Sequence, residues 1–157
     1  MVSRIQQEIK QSRPFGSKAQ EATIGLMRTA DLVRRAVAGV VEPYGITPQQ
    51  YNVLRILRGA GAAGLPTLEI AERMIEEAPG ITRLIDRLES KRLVSRERCE
   101  KDRRRVFCRI TRDGLTLLKK LDAPIRDGEG LAFGSMSSKE LTQLISLLDR
   151  ARSSFQN

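Results

Sequence analysis

The chain has 157 residues, 40% of them hydrophobic, which is one ordinary domain with enough apolar matter for a real core. Its formal charge of +9 is uneven: residues 83–112 hold 12 Lys and Arg against 5 Asp and Glu, +7 of the total. With no histidine, Ser-His and Cys-His relays and histidine metal sites are excluded, and no apolar run approaches the ~18 residues of a membrane span.

Positive charge concentrated in that way points to a polyanionic partner rather than to a surface kept basic for solubility. Cys99 and Cys108, nine residues apart, fit neither a disulfide framework nor a zinc site, so no metal or other cofactor is expected. The opening MVSRIQQEIKQSRPF lacks an apolar core segment and does not read as a signal peptide. A reducing cytoplasm is the expected compartment.

In chain order, residues 1–13 read as a short helix through Ile5 and Ile9, stopped at Pro14. From about Ser17 to Val41, Ala22, Leu26, Ala30, Val33, Val37 and Val40 recur at helical spacing, and the run breaks at Pro43-Tyr44-Gly45. TPQQ opens a second long helix: Thr47 can cap, Pro48 suits the first turn, and Gln50 can close a capping box. Gly59 to Gly64 ends it, Thr67 is expected to cap LEIAERM, and residues 79–91 form the next helix with Ile81, Leu84, Ile85 and Leu88 inward.

LVSRER and RVFCRI alternate like two short strands, with a basic hairpin loop between them. Thr111 then caps a helix carrying Leu115, Leu118 and Leu121. Gly128, Gly130 and Gly134 are expected to loosen the chain. Ser137 and Glu140 form a second capping box, opening a helix with Leu141, Leu144, Ile145, Leu148 and Phe155. The order predicts a mainly α fold with a small β-hairpin wing: a winged helix-turn-helix between long terminal helices.

GAGAAG, residues 59–64, fits the glycine pattern of a dinucleotide site, with Asp86 at a suitable distance. A capped helix precedes it where a strand is needed, and Leu65-Pro66 follows, so it reads as an interhelical turn. The carboxylate pairs Glu69/Glu72 and Glu76/Glu77 read as solvated helix surface. No catalytic constellation remains, and an enzyme is not expected.

The helix at 79–91 is more informative. Opposite its apolar stripe lie Pro79, Gly80, Thr82, Arg83, Asp86 and Ser90, with Arg87 on the flank. Arginine at the start of such a helix can bind guanine in bidentate fashion, and Asp86 can accept from cytosine or orient Arg83 or Arg87. Next in the chain, Lys101, Arg103, Arg104 and Arg105 would form a hairpin tip that reaches the minor groove and phosphates, with Asp102 as an ion-pair partner aiming an arginine. Val106, Cys108 and Ile110 share a strand face, so Cys108 is a core residue; Cys99, between Arg98 and Lys101, is the candidate redox-sensing thiol.

From about Thr47 to Gly114 these residues resemble the multiple antibiotic resistance regulator (MarR) family of bacterial transcription factors. The resemblance is carried by TPQQYNVLRIL, TLEIAERM, ITRLIDRLE, LVSR, DRR and RITRDG in that order, and MSSKELTQLISLL is similar to the family's last helix. It implies that Asp102-Arg103-Arg104 is the family's Asp-x-Arg wing. It also implies a homodimer on inverted-repeat double-stranded DNA, in the bacterial cytoplasm at the nucleoid and not at a membrane. A cleft for small aromatic or phenolic effectors is implied as well, with Tyr44, Tyr51 and Arg55 as its candidates here.

Residues 1–46 and 113–157 would then dimerise and 47–112 would bind DNA, most simply as a repressor relieved by such an effector. Arg92 stands where the family usually has a helix-ending glycine, so it is expected to take a left-handed conformation. The alternatives are a winged-helix architectural or RNA-binding protein, and a redox-sensing regulator using Cys99. A module docking an acidic protein through its basic face is a further rival.

Overall fold

Capping chemistry sets the starts of the longest helices. The computed structural model describes residues 2–156, in which a single turn of helix α1 (Arg4–Glu8) precedes α2 (Lys18–Val41), whose first turn is closed by Ser17 Oγ accepting from the Gln20 N–H. Helix α3 (Pro48–Ala60) opens with the complete capping box: Thr47 Oγ1 accepts from the Gln50 N–H at 3.2 Å, and Gln50 Oε1 from the Thr47 N–H at 3.1 Å. The same reciprocal pair, Ser137 and Glu140, opens the last helix, α7 (Ser138–Ser153).

After α3 comes a feature the sequence did not announce. Leu65–Pro66 form strand β1, and helix α4 (Thr67–Arg73) follows at once. Thr67 is therefore not the cap of α4. It is the first helical residue, Pro66 takes the cap position, and the Thr67 hydroxyl lies 3.8 Å from Cys108 Sγ. Helix α5 (Ile81–Ser90), strand β2 (Val94–Arg98), strand β3 (Val106–Ile110) and the long helix α6 (Arg112–Phe133) complete the chain. The sheet is antiparallel with order β1-β3-β2, pairing Leu65 with Cys108 and Val94 with Ile110. Gly64, at φ +65°, lets the chain enter β1, since a Cβ there would lie 2.4 Å from the Cys108 carbonyl. The glycine-rich turn serves strand pairing, not a nucleotide.

One core joins these elements. Val53, Leu54 and Leu57 of α3, Ile70 of α4, Ile85 and Leu88 of α5, Val94 of β2 and Cys108 of β3 are buried together with Val41 of α2 and Leu118 and Leu121 of α6. Leu115, expected in the α6 stripe, is instead exposed. Arg58 holds α3 to α6 through both oxygens of Asp122, at 2.9 and 3.0 Å. Gly114 is needed at the start of α6, where a Cβ would meet the Leu93 carbonyl at 2.4 Å. The glycines at 128 and 130 do not loosen the chain: α6 runs through them, with Pro124 inside it, and ends only before Gly134. Its packing against α2 outweighs their low helix propensity.

The terminal helices differ from this core. Leu26, Met27 and Leu32 of α2, Leu131 of α6 and Ile145 and Leu147 of α7 are exposed, and Phe155 lies beyond the end of α7. Among the described residues, no helix is long and apolar enough to cross a membrane.

Candidate DNA interface

Helix α5 owes its orientation to its two-sided pattern. Ile81, Ile85 and Leu88 are buried and Leu84 is half-buried, which turns Thr82, Arg83, Asp86 and Arg87 to solvent. Pro79 and Gly80 are exposed at its entrance, and no side chain caps its first turn. At the far end Arg92 has φ +60°, with its N–H donating to the Glu89 carbonyl and the Leu93 N–H to the Leu88 carbonyl. This is the double closure a left-handed residue makes at a helix C-terminus, without the usual glycine. Arg83 and Arg87 make no ion pair among the described residues.

Asp86 departs from expectation. It orients neither Arg83 nor Arg87; its carboxylate takes Arg96 Nη2 of β2 at 2.7 Å, and Glu89 takes the same guanidinium at 2.6 Å. These hydrogen bonds, Glu89's foremost, hold the Arg96 guanidinium firmly protonated. The tie links strand β2 of the hairpin to α5. Arg96 was not legible as a partner because the sequence shows alternation within β2 but not which α5 residue a given strand position faces.

The hairpin tip is built by its aspartate, though not as an ion pair. Asp102 Oδ1 accepts the Arg104 N–H at 3.0 Å, and the Asp102 carbonyl accepts the Arg105 N–H at 2.9 Å. A short side chain hydrogen-bonding its own backbone two residues on is a standard turn device. Asp102 therefore shapes the loop and makes no ion pair with its neighbours among the described residues. Lys101, Arg103 and Arg104 are exposed and make no ion pair among the described residues, while the Arg105 guanidinium lies 5.6 Å from the Phe107 ring centre. Arg109 braces the hairpin from outside, bonding Glu97 and the Ala62 carbonyl. Four cations without an ion pair among the described residues, set around a single carboxylate, leave the tip strongly positive and favour a nearby anion.

The two thiols sit three positions apart along the ladder, Cys108 opposite Arg96 and Cys99 hydrogen-bonded through its N–H to the Arg105 carbonyl. That separation, about 10 Å, is beyond disulfide reach. Cys108 is fully buried, and burial pushes its thiol pKa up. Cys99 is half-buried at the foot of the loop.

A cavity of about 400 Å³ opens between α2, α3, α6 and the segment after α4. Tyr51 and Arg55 both line it, with the Arg55 guanidinium 5.9 Å from the Tyr51 ring centre, and burial raises the Tyr51 pKa. Tyr44 does not line it: it ends the 3-10 turn after α2 and is exposed. Arg34, Gln49, Asn52 and Glu129, which the sequence did not single out, and Glu76, which it read as solvated surface, complete the polar part of the wall. Only their placement around an otherwise apolar hollow marks them.

Comparison with known proteins places this geometry. A family model described as MarR family matches residues 46–106. A crystal structure of a MarR transcription factor from Planctomyces limnophilus is 40% identical, covering 87% of this chain and 98% of its own, with a TM-score of 0.67. The HTH-type transcriptional regulator PecS of Dickeya dadantii (strain 3937) is 28% identical over 99% of this chain and 95% of its own. The crystal structure of the S. aureus MepR-DNA complex is 23% identical, covering 84% of this chain and 96% of its own, with a TM-score of 0.77, and so shares the fold.

Proposed function

Because the chain belongs to the MarR family of DNA-binding winged-helix transcription regulators, we propose that it acts as a homodimeric, sequence-specific repressor of transcription. The observation that carries this reading is the pairing of an uncapped α5, with Thr82, Arg83 and Arg87 exposed, and a hairpin whose Lys101, Arg103 and Arg104 have no acidic partner. In this reading Arg83, and secondarily Arg87, contacts base edges in the major groove, with Pro79, Gly80 and Thr82 at the entering turn. Arg104 enters the minor groove, with Lys101, Arg103 and Arg105 near phosphates and Asp102 holding the loop. Asp86 acts through Arg96, keeping the hairpin at a fixed angle to α5. The fold that this chain shares with a relative solved on DNA supports the same assignment.

Residues 1–46 and 113–157 supply the dimer contacts, and 47–112 the DNA contacts. The exposed apolar faces of α2, α6 and α7 support a second copy as their cover. Two-fold symmetry then calls for an inverted repeat with half-sites about 10 bp apart. The cavity beside Tyr51 and Arg55 suits a small aromatic or phenolic acid, its ring on the apolar wall and its carboxylate on Arg55 or Arg34, whose binding relieves repression. Family members are regulators rather than enzymes, and the protein is assigned to the bacterial cytoplasm, at the nucleoid.

The test is selection of bound sites from random duplex DNA. A consensus with a dyad supports the reading. Equal affinity for any duplex means an architectural protein, and no duplex binding at all means that the basic face meets something else.

A further inference from the structure

The segment from Ile75 to Gly80 leads directly into α5 and so sets where that helix begins. It is thinly held. Among the described residues, its one hydrogen bond to an element other than α5 is the Ile75 N–H donating to Asn52 Oδ1 of α3, at 2.9 Å; Ala78 and Gly80 accept only from the Ile81 and Leu84 N–H groups of α5 itself. The first turn of α5 has no side-chain cap to compensate. Ile75 itself is 82% exposed, so its side chain adds little anchoring. Met74 and Ala78 pack against the core on either side, which leaves the stretch between them dependent on that one acceptor.

Asn52 also lines the cavity, as do Met74, Ile75 and Glu76 of the segment it holds. Its position one helical turn from Gln49 and Arg55 brings it to the same wall of the cavity. Among the described residues, the Nδ2 half of the amide makes no hydrogen bond. An acid bound beside Arg55 can accept from that N–H, which ties occupation of the cavity to the orientation of the amide whose Oδ1 holds Ile75. Asn52 is thus the α3 side chain that both lines the cavity and holds the segment leading into α5.

The geometry points to Asn52 as the positioning residue of α5. Its carbonyl oxygen fixes the 75–80 segment in the register that DNA reading requires, and it is the group through which occupation of the cavity is felt at the DNA. This rests on the DNA-reading assignment above. An isolated neutral hydrogen bond is modest, so the effect on operator affinity is about fivefold rather than a total loss.

The test uses the full-length dimer and the consensus duplex selected by the wild-type protein. Asn52→Ala removes the acceptor, and Asn52→Asp keeps one at the same reach. The expected result is about fivefold weaker operator binding for Asn52→Ala, faster amide exchange at Ile75, and an unchanged melting temperature, with Asn52→Asp close to wild type in all three. Should alanine at 52 cost the fold, Asn52→Ser, too short to reach Ile75, takes its place. Wild-type affinity in the alanine or serine variant overturns the proposal, as does an aspartate variant as weak as the alanine. A wild-type protein that binds no duplex would remove the DNA-reading assignment and this role with it.

Discussion

The winged-helix lobe and the outer parts of the terminal helices treat their aliphatic side chains in opposite ways. Leu54, Leu57 and Leu88 are wholly buried within their own chain, whereas Leu131 is 90% exposed and Ile145 59%. Both regions hold a helix opened by a complete capping box, α3 in one and α7 in the other, so local sequence quality does not separate them. What separates them is where the apolar face finds cover. The lobe's apolar faces close over one core with Val41 of α2 and Leu118 and Leu121 of α6, while α7 leaves Ile145 and Leu147 exposed. A sequence pattern shows that a helix has an inward face; it does not show whose interior that face belongs to.

The strongest way to break this contrast is to replace one aliphatic side chain on each side. Leu54→Ala should cost about 2–5 kcal/mol of stability, measured by denaturant unfolding, at every protein concentration. Ile145→Asp should leave the lobe folded but weaken the dimer by about a hundredfold or more, since a charge would be buried unpaired between copies. Sedimentation across a range of concentrations reads that directly. A wild-type chain that stays monomeric at micromolar concentration would end the argument for a second copy.

Within the lobe, the hairpin and α5 can be told apart as well. Arg83→Ala should cost about 1–3 kcal/mol at one base position and leave binding to other sequences nearly unchanged, read by titration against matched and mismatched duplexes. The smallest effect has the opposite sign. Arg92 holds φ +60°, where a side chain costs roughly 1 kcal/mol, so Arg92→Gly should leave the melting temperature equal or slightly higher. A clear fall would mean that the Arg92 side chain contributes contacts that outweigh its strain.

The parts of this structure legible in sequence were those that local chemistry decides. TPQQ and SSKE announce capping boxes because both partners lie within four residues, and the hairpin shows in its alternation. The left-handed Arg92 was legible too, through resemblance rather than physics. Strand β1 was not, since two residues carry no period and its pairing depends on Gly64 meeting a carbonyl 44 positions away. The course of α6 through Gly128 and Gly130 was missed because tertiary packing against α2 overrides propensity. At the site, exposure of Arg83 and of the basic run followed from periodicity. The partners of Asp86 and Asp102 did not, because a carboxylate chooses by geometry among several nearby donors.

The central claim is that the basic run at 101–105 is a DNA-contacting wing and not merely solvated surface. Operator binding measured over a series of salt concentrations tests it most directly, with Arg104→Ala beside the wild type. The account predicts weaker binding to operator and to A·T-rich flanks alike, a salt slope smaller by about one unit per subunit, and an unchanged base preference in the half-site. An Arg104→Ala protein with wild-type affinity and wild-type salt slope would contradict it.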